Sequence, residues 1–389
     1  MTPHTSAVDL APGLQLLLVG ALLALGPLLW VWLRRKPADR AGLRHRVTLL
    51  TLFLTFDLIL FGAFTRLSDS GLGCPDWPGC YGSASPVGAK SSIAAAQAAM
   101  PSGPVTHTKA WIEMVHRYLA TGVGALIVVL LLLAWRARIG PAAPAPPPGW
   151  GWPLLTLFWV CVQGAFGALT VTMKLFPAIV TLHLLGGLAL LALLAFQAER
   201  LGRFRRAGQP LPLDRLTRAL LFSACVVLGI QIALGGWVST NYAVLACTDF
   251  PMCQGSWWPE MRFDQAVQVW RPLGYLSDGQ AISFAALTAI HMVHRLFALV
   301  LVLVVLALCW RLHRFVAARV LARCLLAVLG LQLVTGLANV VLGWPLLAAV
   351  LHTGGAAALV LLLTWLVSGT TSVPAGRSQT VWPLSGAKT

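Results

Sequence analysis

The hexapeptide IEMVHR at residues 112–117 returns almost unchanged as IHMVHR at residues 290–295. Each copy stands just inside a long apolar stretch, so each places a histidine and an arginine near the start of a predicted membrane helix. An internal repeat decides an architecture before any single motif does. A histidine that is repeated inside two membrane helices indicates a ligand-binding site.

The composition is that of an integral membrane protein. The chain has 389 residues, of which 58% are hydrophobic and 10% are charged. A soluble core of this size does not use such a balance, whereas a bundle of membrane helices requires it. The net charge of +16 comes from Lys and Arg in alternate connections between apolar stretches. Membrane topology explains that pattern, and because no recognition motif accompanies the charge we expect no nucleic-acid partner.

Nine apolar stretches predict nine membrane helices, the first with its N-terminus outside and its C-terminus in the cytoplasm. We expect residues 67–108 to form an external loop with an aperiodic, partly mobile portion, and the proline-rich residues 141–149 to form a stiff cytoplasmic connection. The predicted spans are 14–33, 47–64, 109–134, 153–172, 177–197, 219–238, 284–310, 320–342 and 346–367.

The repeat extends over two four-helix units that follow one extra helix. The loop GCPDWPGCYG at residues 73–82 matches ACTDFPMCQG at residues 246–255, and TLH at residues 181–183 matches VLH at residues 350–352. Because four spans is an even number, both units face the same way. The sequence therefore predicts an all-α integral membrane protein with two parallel-repeat four-helix bundles, related by an axis along the membrane normal, plus an extra N-terminal transmembrane helix.

The repeat also predicts the division of the chain. The expected parts are the extra helix with a basic cytoplasmic segment, the N-terminal unit, a cytoplasmic linker, the C-terminal unit and a cytoplasmic tail. By residue number they are 1–46, 47–200, 201–218, 219–369 and 370–389.

Each unit carries one histidine on its second helix and one on its fourth: His116 with His183, and His294 with His352. All four lie roughly 10 Å below the outer ends of their helices, His294 somewhat deeper. Two neutral imidazoles on separate helices suit the axial positions of a heme iron, whereas zinc would need further ligands nearby. We expect one heme pocket in each unit; the alternative for these histidines is interhelical hydrogen bonding.

Glu113 and His291 make the two pockets unlike. Each precedes its histidine by three residues and so shares a helical face with it. A carboxylate in a membrane helix is a functional candidate, here for proton transfer or for stabilising a cation. The alternative is that it only orients His116 or pairs with Arg117. Three arginines at the outer ends of spans are candidates for binding heme propionates, with interfacial snorkelling as the alternative: Arg66, Arg117 and Arg295.

The four loop cysteines form two equally spaced pairs, Cys74 with Cys80 and Cys247 with Cys253. In an oxidising periplasm each pair is expected to form a disulfide that staples its loop over a pocket. A redox-active role for the first pair is the alternative.

From about residue 47 to residue 367 the chain resembles the heme A synthase family. The resemblance rests on FTRLSDSGLGCPDWPGC, IEMVHR, TLHLLGG, the second cysteine loop, IHMVHR and VLHTGG. It implies an oxidoreductase that converts a methyl group of heme O into the formyl group of heme A through hydroxylated intermediates. The family core has eight spans, so the leading helix is a departure from it.

Carried over by position, the resemblance also assigns roles to residues. His116 and His183 would flank the substrate heme O, and Glu113 would be the catalytic carboxylate. His294 and His352 would ligate a resident heme b. His291 competes with His294 for that role, and the alignment of His294 with His116 favours His294.

The implied location is a bacterial inner membrane, with the cysteine loops and heme pockets toward the periplasm. The implied partners are heme O, heme A and membrane lipid, together with heme O synthase and cytochrome oxidase assembly factors. Two other functions stay open from the residues alone: a di-heme electron carrier that oxidises quinol, and a heme transport or delivery protein.

Overall fold

The computed structural model describes residues 11–34, 40–139 and 147–372. Within these ranges nine helices are long and apolar enough to cross a membrane, as the sequence predicted. The chain is therefore a multi-pass helical membrane protein. Three predictions lie partly or wholly outside the described residues: the basic segment at 35–39, the proline-rich connection at 140–146 and the tail at 373–389.

The helices follow one another with two longer loops between them. The nine long helices are α1 (Ala11–Leu33), α2 (Arg40–Leu67), α4 (His107–Ile139), α5 (Gly151–Thr172), α6 (Pro177–Arg206), α7 (Arg215–Thr240), α9 (Phe284–Leu312), α10 (Arg319–Val341) and α11 (Leu346–Gly369). The loops contain the short helices α3 (Lys90–Ala99) and α8 (Phe263–Ala266). The described residues also form one parallel pair of short strands, β1 (Leu211–Leu213) and β2 (Thr370–Ser372).

Eight of the long helices form two closed rings of four. In the first ring α2 contacts α4, α4 contacts α5, α5 contacts α6, and α6 returns to α2. In the second ring α7, α9, α10 and α11 contact one another in the same order. We call these rings the N-terminal unit and the C-terminal unit. As a consequence, α4 faces α6 across the first ring, and α9 faces α11 across the second.

The two units pack against each other through α2 and α6 on one side and α7 and α11 on the other. Glycine allows close approach: a Cβ atom at Gly236 would lie 3.1 Å from Cγ2 of Thr181. At the end that carries the cysteine loops, Arg66 donates to the hydroxyl of Tyr242 and to the carbonyl of Ser239, both at 3.0 Å. Small residues and a side-chain to main-chain bond therefore join the units.

Several helices run past the ends of the predicted spans. Helix α2 begins at Arg40 rather than at residue 47, and α4 and α6 continue to Ile139 and Arg206. Hydropathy marks only the stretch that lies in hydrocarbon, whereas the helix continues into the basic flank, where water and Arg side chains meet it.

Helix α3 corrects the prediction of an aperiodic loop. Residues 90–99 read KSSIAAAQAA, and alanine is the residue that favours a helix most. Ile93 is fully buried in a cluster with Cys74 and Met114, so tertiary packing holds the helix in place. A single apolar residue among small ones carries no helical period, which is why the sequence pattern did not reveal it.

The extra helix α1 packs along α4. A Cβ atom at Gly20 would lie 2.8 Å from the backbone nitrogen of Gly122 and would overlap the side chain of Thr121. At its start, a Cβ atom at Gly13 would lie 3.4 Å from Cγ of Pro78, in the first cysteine loop. Helix α1 therefore contacts both α4 and that loop.

Candidate functional site

The two cysteine loops have the same internal structure. We call residues 74–83 disulfide loop 1 and residues 247–256 disulfide loop 2; each contains the predicted disulfide, Cys74–Cys80 and Cys247–Cys253. In loop 1, the Asp76 carboxylate accepts the backbone N–H of Tyr81 at 2.6 Å and of Gly82 at 2.8 Å. Asp76 therefore closes the loop on itself.

Loop 2 repeats these bonds. The Asp249 carboxylate accepts the backbone N–H of Gln254 at 2.7 Å and of Gly255 at 2.9 Å. The Gly255 N–H, with that of Gln254, holds the pKa of the Asp249 carboxyl below its usual value. Gly82 and Gly255 both have a φ of +70°, a conformation that glycine adopts without strain. The repeated Asp and Gly thus have a structural explanation.

The arginines of the two repeated hexapeptides lie beneath these loops. Arg117 donates through Nη1 to the carbonyls of Asp76 and Pro78, both at 3.0 Å. Arg295 donates to the carbonyls of Met252 and Asp249, also at 3.0 Å. Each guanidinium therefore ties its helix to its disulfide loop, a role that sequence reasoning had not assigned. The third predicted propionate ligand, Arg66, lies at the junction between the units.

Glu113 lies between disulfide loop 1 and α4. Its Oε2 accepts the backbone N–H of Cys74 at 2.8 Å, and its Oε1 accepts from Nη2 of Arg117. The side chain is buried, with 4% of its surface exposed. A buried carboxylate with two donors, one of them a guanidinium, keeps a fixed direction at the head of the N-terminal unit.

His291 takes the place of Glu113 in the C-terminal unit. Its Nδ1 lies 3.0 Å from the carbonyl of Ala243, and its Nε2 accepts from Nε of Arg295 at 3.2 Å. Both ring nitrogens are therefore engaged beneath disulfide loop 2. Of the two histidines in this hexapeptide, His294 is the one whose ring is directed into the unit.

Each of the four repeated histidines rests against a glycine of a neighbouring helix. A Cβ atom at any of these glycines would stand within 3.5 Å of Cε1 of a histidine ring, which is van der Waals contact at Gly167 and a tighter approach at the other three. The pairs are Gly62 with His116 (2.9 Å), Gly167 with His183 (3.5 Å), Gly235 with His294 (2.9 Å) and Gly336 with His352 (3.2 Å). The same side-chain cradle thus occurs twice in each unit.

The cradled rings form one pair in each unit. His116 on α4 and His183 on α6 come from helices that face each other across the N-terminal ring. His294 on α9 and His352 on α11 do the same across the C-terminal ring. Each of these four residues keeps part of its surface exposed.

The donor set of these pairs fits heme. Two imidazoles from opposed helices supply the two axial ligands of an iron porphyrin in a bundle core. In the described ranges, Nδ1 of His116 and Nδ1 of His183 are buried with no hydrogen-bond partner, so an interhelical hydrogen bond through Nδ1 does not explain this pair. Those ranges also contain no group of three or more His, Cys, Asp or Glu that would hold a metal such as zinc.

Two residues near the C-terminal pair escaped sequence reasoning. The amide nitrogen of Gln231 lies 3.1 Å from Nδ1 of His294, and the hydroxyl of Thr335 lies 3.0 Å from Nδ1 of His352. Neither residue belongs to a repeated motif, so comparison of the two halves did not single them out. A lone polar residue in an apolar stretch was the available signal.

Known proteins resemble the chain over most of its length. Residues 45–364 match the family model COX15-CtaA, described as cytochrome oxidase assembly protein. A heme A synthase of Shewanella oneidensis is 38% identical over 329 residues, which cover 83% of this chain and 97% of that protein. The heme A synthases of Rhizorhabdus wittichii and Halalkalibacterium halodurans are 26% and 27% identical, over 86% and 76% of this chain and 95% and 86% of their own. The resemblance seen in the sequence motifs is confirmed, and the chain belongs to the COX15-CtaA family of cytochrome oxidase assembly proteins.

Proposed function

We propose that this protein is a heme A synthase, an oxidoreductase that converts the methyl group of heme O into the formyl group of heme A through hydroxylated intermediates. The proposal depends most on one observation: the two imidazole pairs are similar, but beneath the disulfide loop the first unit has Glu113 where the second has His291. The family match and the heme A synthases among the relatives support it.

The N-terminal unit is the proposed substrate site. His116 and His183 flank heme O, and the reactive methyl group lies near Glu113. When water supplies the oxygen, oxidation of a methyl to a formyl group releases four protons and four electrons, so a group that receives the protons and an electron acceptor outside this chain are both required. The Glu113 carboxylate, directed by Cys74 N–H and Arg117, is suited to receive them.

The C-terminal unit is the proposed site of a resident heme b, with His294 and His352 as its axial ligands. A heme b bound there supplies one-electron transfer. Arg66, Arg117 and Arg295 stay predictions as propionate ligands. Their bonds to Tyr242, Ser239 and the loop carbonyls would have to be shared or exchanged for that role.

We further propose that the two units are a parallel repeat related by a pseudo-two-fold axis along the membrane normal. The common order of helix contacts in both rings and the matching disulfide loops support this. The unit boundaries predicted from the sequence, 47–200 and 219–369, follow from the same repeat. The extra helix α1 stands outside it.

The proposed location is the bacterial inner membrane, with both disulfide loops in the periplasm. Arginines gather at the opposite end of the bundle, at the ends of α4 and α6 and the starts of α7 and α10. Cytoplasmic connections carry such an excess. Heme O synthase and cytochrome oxidase assembly factors are the predicted protein partners, and lipid surrounds the helices.

Two other functions would use the same histidines. A di-heme electron carrier needs no carboxylate at the head of one pocket, and a heme delivery protein would load and release heme at both pockets alike. Neither function by itself explains why one pocket has Glu113 where the other has His291. This difference therefore favours the synthase.

The variant Glu113→Gln tests the proposal, because it keeps the shape of the side chain and removes its ability to take a proton. We expect a strain that depends on this protein for heme A to accumulate heme O or a hydroxylated intermediate, while the purified protein keeps heme b. Chromatography of the extracted pigments measures this.

The matched control is Glu199→Gln. Glu199 is another buried glutamate paired with an arginine one turn away, Arg203, but it lies in α6 near the opposite end of the bundle. Its pigment profile should equal that of the wild type. Normal heme A output from Glu113→Gln, or equal loss in both variants, would refute the role of Glu113.

A further inference from the structure

The two histidine pairs differ in what their Nδ1 atoms contact. In the C-terminal unit Nδ1 of His294 lies 3.1 Å from the Gln231 amide, and Nδ1 of His352 lies 3.0 Å from the Thr335 hydroxyl. In the N-terminal unit both Nδ1 atoms are buried and have no partner among the described residues. The hydrogen bonding of the imidazoles is therefore asymmetric, although their cradling glycines are not.

The bond at Thr335 has a defined direction. The shortest contact of the Thr335 hydroxyl is to the carbonyl of Leu331 at 2.7 Å, so we assign its hydrogen to that carbonyl; toward His352 the hydroxyl oxygen then accepts. His352 must then carry its proton on Nδ1, which leaves Nε2 as the nitrogen with a free lone pair. That is the tautomer an imidazole needs in order to bind iron through Nε2.

Gln231 can serve His294 in the same way. Its Oε1 is buried with no partner in the described part of the chain, while its nitrogen stands beside Nδ1. Half a turn of the amide brings Oε1 to that position, where it accepts the Nδ1 proton. This orientation gives Oε1 a partner in the Nδ1 proton, and it replaces the bond that the amide nitrogen donates to the His294 carbonyl at 3.2 Å.

The repeat identifies the residues that replace these acceptors in the N-terminal unit. Gln231 stands four residues before the cradling Gly235, and Leu58 stands four residues before Gly62. Thr335 stands one residue before Gly336 and Phe166 stands one residue before Gly167, so these two positions correspond. Both acceptors are thus replaced by apolar side chains.

A further aromatic ring keeps the N-terminal site apolar. Phe61 lies nearly parallel to the His116 ring, with the two centroids 6.3 Å apart. An acceptor at Nδ1 fixes the orientation of a metal-bound imidazole and raises its basicity, and removal of such an acceptor typically weakens metal binding by about 10–100-fold. The N-terminal imidazoles therefore hold iron more weakly.

We propose that Gln231 and Thr335 are positioning residues that make the C-terminal heme a resident one, and that Leu58 and Phe166 make the N-terminal site exchangeable. The inference rests on the proposed function, since a synthase must keep one heme through many turnovers while it takes up heme O and releases heme A in the other site. Hydrogen bonds to the Nδ1 atoms in one site and not in the other give two sites with the same ligands these opposite properties.

The test is made on the purified full-length protein with its heme bound. Gln231→Leu places at 231 the residue found at 58, and Thr335→Val removes the hydroxyl at nearly constant volume. We expect each to speed the transfer of heme b to excess apomyoglobin by about 10–100-fold. We also expect each to raise the midpoint reduction potential of heme b, because the imidazole donates less charge to iron.

Two conservative variants separate hydrogen bonding from packing. Thr335→Ser keeps the hydroxyl and should restore wild-type retention of heme b. Gln231→Glu provides a stronger acceptor and should shift the potential opposite to Gln231→Leu. The reverse change, Leu58→Gln, should slow the release of heme from the N-terminal site.

Unchanged heme loss and potential in Gln231→Leu and Thr335→Val would overturn the inference. Defects in Thr335→Ser equal to those in Thr335→Val would do the same. These readouts follow heme b and do not require heme A to form. If the wild-type protein makes heme A and the variants retain heme b like the wild type, the inference fails and the proposed function stands. If the variants lose heme b faster but the wild-type protein makes no heme A, the inference stands and the proposed function fails.

Discussion

At the scale of single residues, three side chains within about one turn of each repeated hexapeptide make different contacts. Residues 113, 116 and 117 stand at positions i, i+3 and i+4, so they share a side of α4 but diverge by the roughly 100° between neighbouring positions. Arg117 and Glu113 reach disulfide loop 1, whereas His116 turns toward Gly62 on α2. One short motif therefore connects a loop to a pocket.

The glycines that contact the histidine rings allow the same substitution to be compared in the two units. A Cβ atom at Gly62 or at Gly235 would stand 2.9 Å from Cε1 of its histidine, too close for the ring to stay. We expect Gly62→Ala to lower occupancy of the substrate site and heme A output by on the order of tenfold while heme b remains. Gly235→Ala should lower heme b content to a similar extent. Heme extraction from both purified variants measures this.

The two alanine variants serve as controls for each other, since the change in helix propensity is the same. Loss of the same pigment from both would contradict the assignment of one heme to each unit. Full pigment content in both would contradict the cradles themselves.

The sequence indicated the histidines of the candidate site but not the residues that surround them. His116, His183, His294 and His352 were found because a polar residue that recurs in an apolar helix stands out. Gly62 and Gly235 did not, since glycine is common in membrane helices and its role depends on which neighbour packs against it. Only the packing of α2 on α4 and of α7 on α9 connects each glycine with a ring.

At the scale of elements, α1 acts as a support for disulfide loop 1. The buried residues of α1 recur mostly at intervals of four, as in Leu16, Gly20 and Ala24, and form the stripe that packs on α4. Its first turn contacts the loop, where Pro12 would lie 3.2 Å from a Cβ atom at Gly79. Because Arg117 and Glu113 bind this same loop, α1 can influence the carboxylate without contacting it.

The docking of α1 can be tested with two glycines of the same helix. Gly20→Leu places a large side chain against Gly122 and Thr121, whereas around Gly26 no atom of the described residues comes within 4 Å of an added Cβ. We expect Gly20→Leu to destabilise the protein by about 1–3 kcal/mol through overpacking and to raise the ratio of heme O to heme A. Thermal unfolding in detergent and pigment ratios measure the two effects.

Gly26→Leu should leave both quantities near their wild-type values. The role of α1 as a support would be refuted by equal effects of the two substitutions. A loss of stability in Gly20→Leu with an unchanged pigment ratio would show that α1 does not act on disulfide loop 1.

The existence of the helices was predictable and their ends were not. All nine spans appear as predicted because about 20 apolar residues are needed to cross a bilayer and few other segments supply them. The ends at Arg40, Ile139 and Arg206 depend on the basic flanks, which hydropathy does not describe. Helix α3 depends on the burial of one residue, Ile93, against residues that are distant in the sequence, and a local sequence pattern does not show such contacts.

At the scale of the molecule, one plan occurs twice with different chemistry. Both rings have the same order of helix contacts, the same disulfide loop held by an aspartate and an arginine, and the same cradled histidines. Three differences lie near the histidine pairs: Glu113 against His291, Leu58 against Gln231 and Phe166 against Thr335. On the proposed function, these differences make one half a site of turnover and the other a site of permanent heme.

The central claim is that each unit holds its own heme, the substrate in the first and heme b in the second. The most direct measurement is the pigment content of purified His183→Ala and His352→Ala, compared with wild type by extraction and chromatography. We predict heme b with heme O, a hydroxylated intermediate or heme A in the wild type. His183→Ala should keep heme b and lose the other pigment, and His352→Ala should lose heme b. Heme b alone in the wild type, or loss of the same pigment from both variants, would contradict the account.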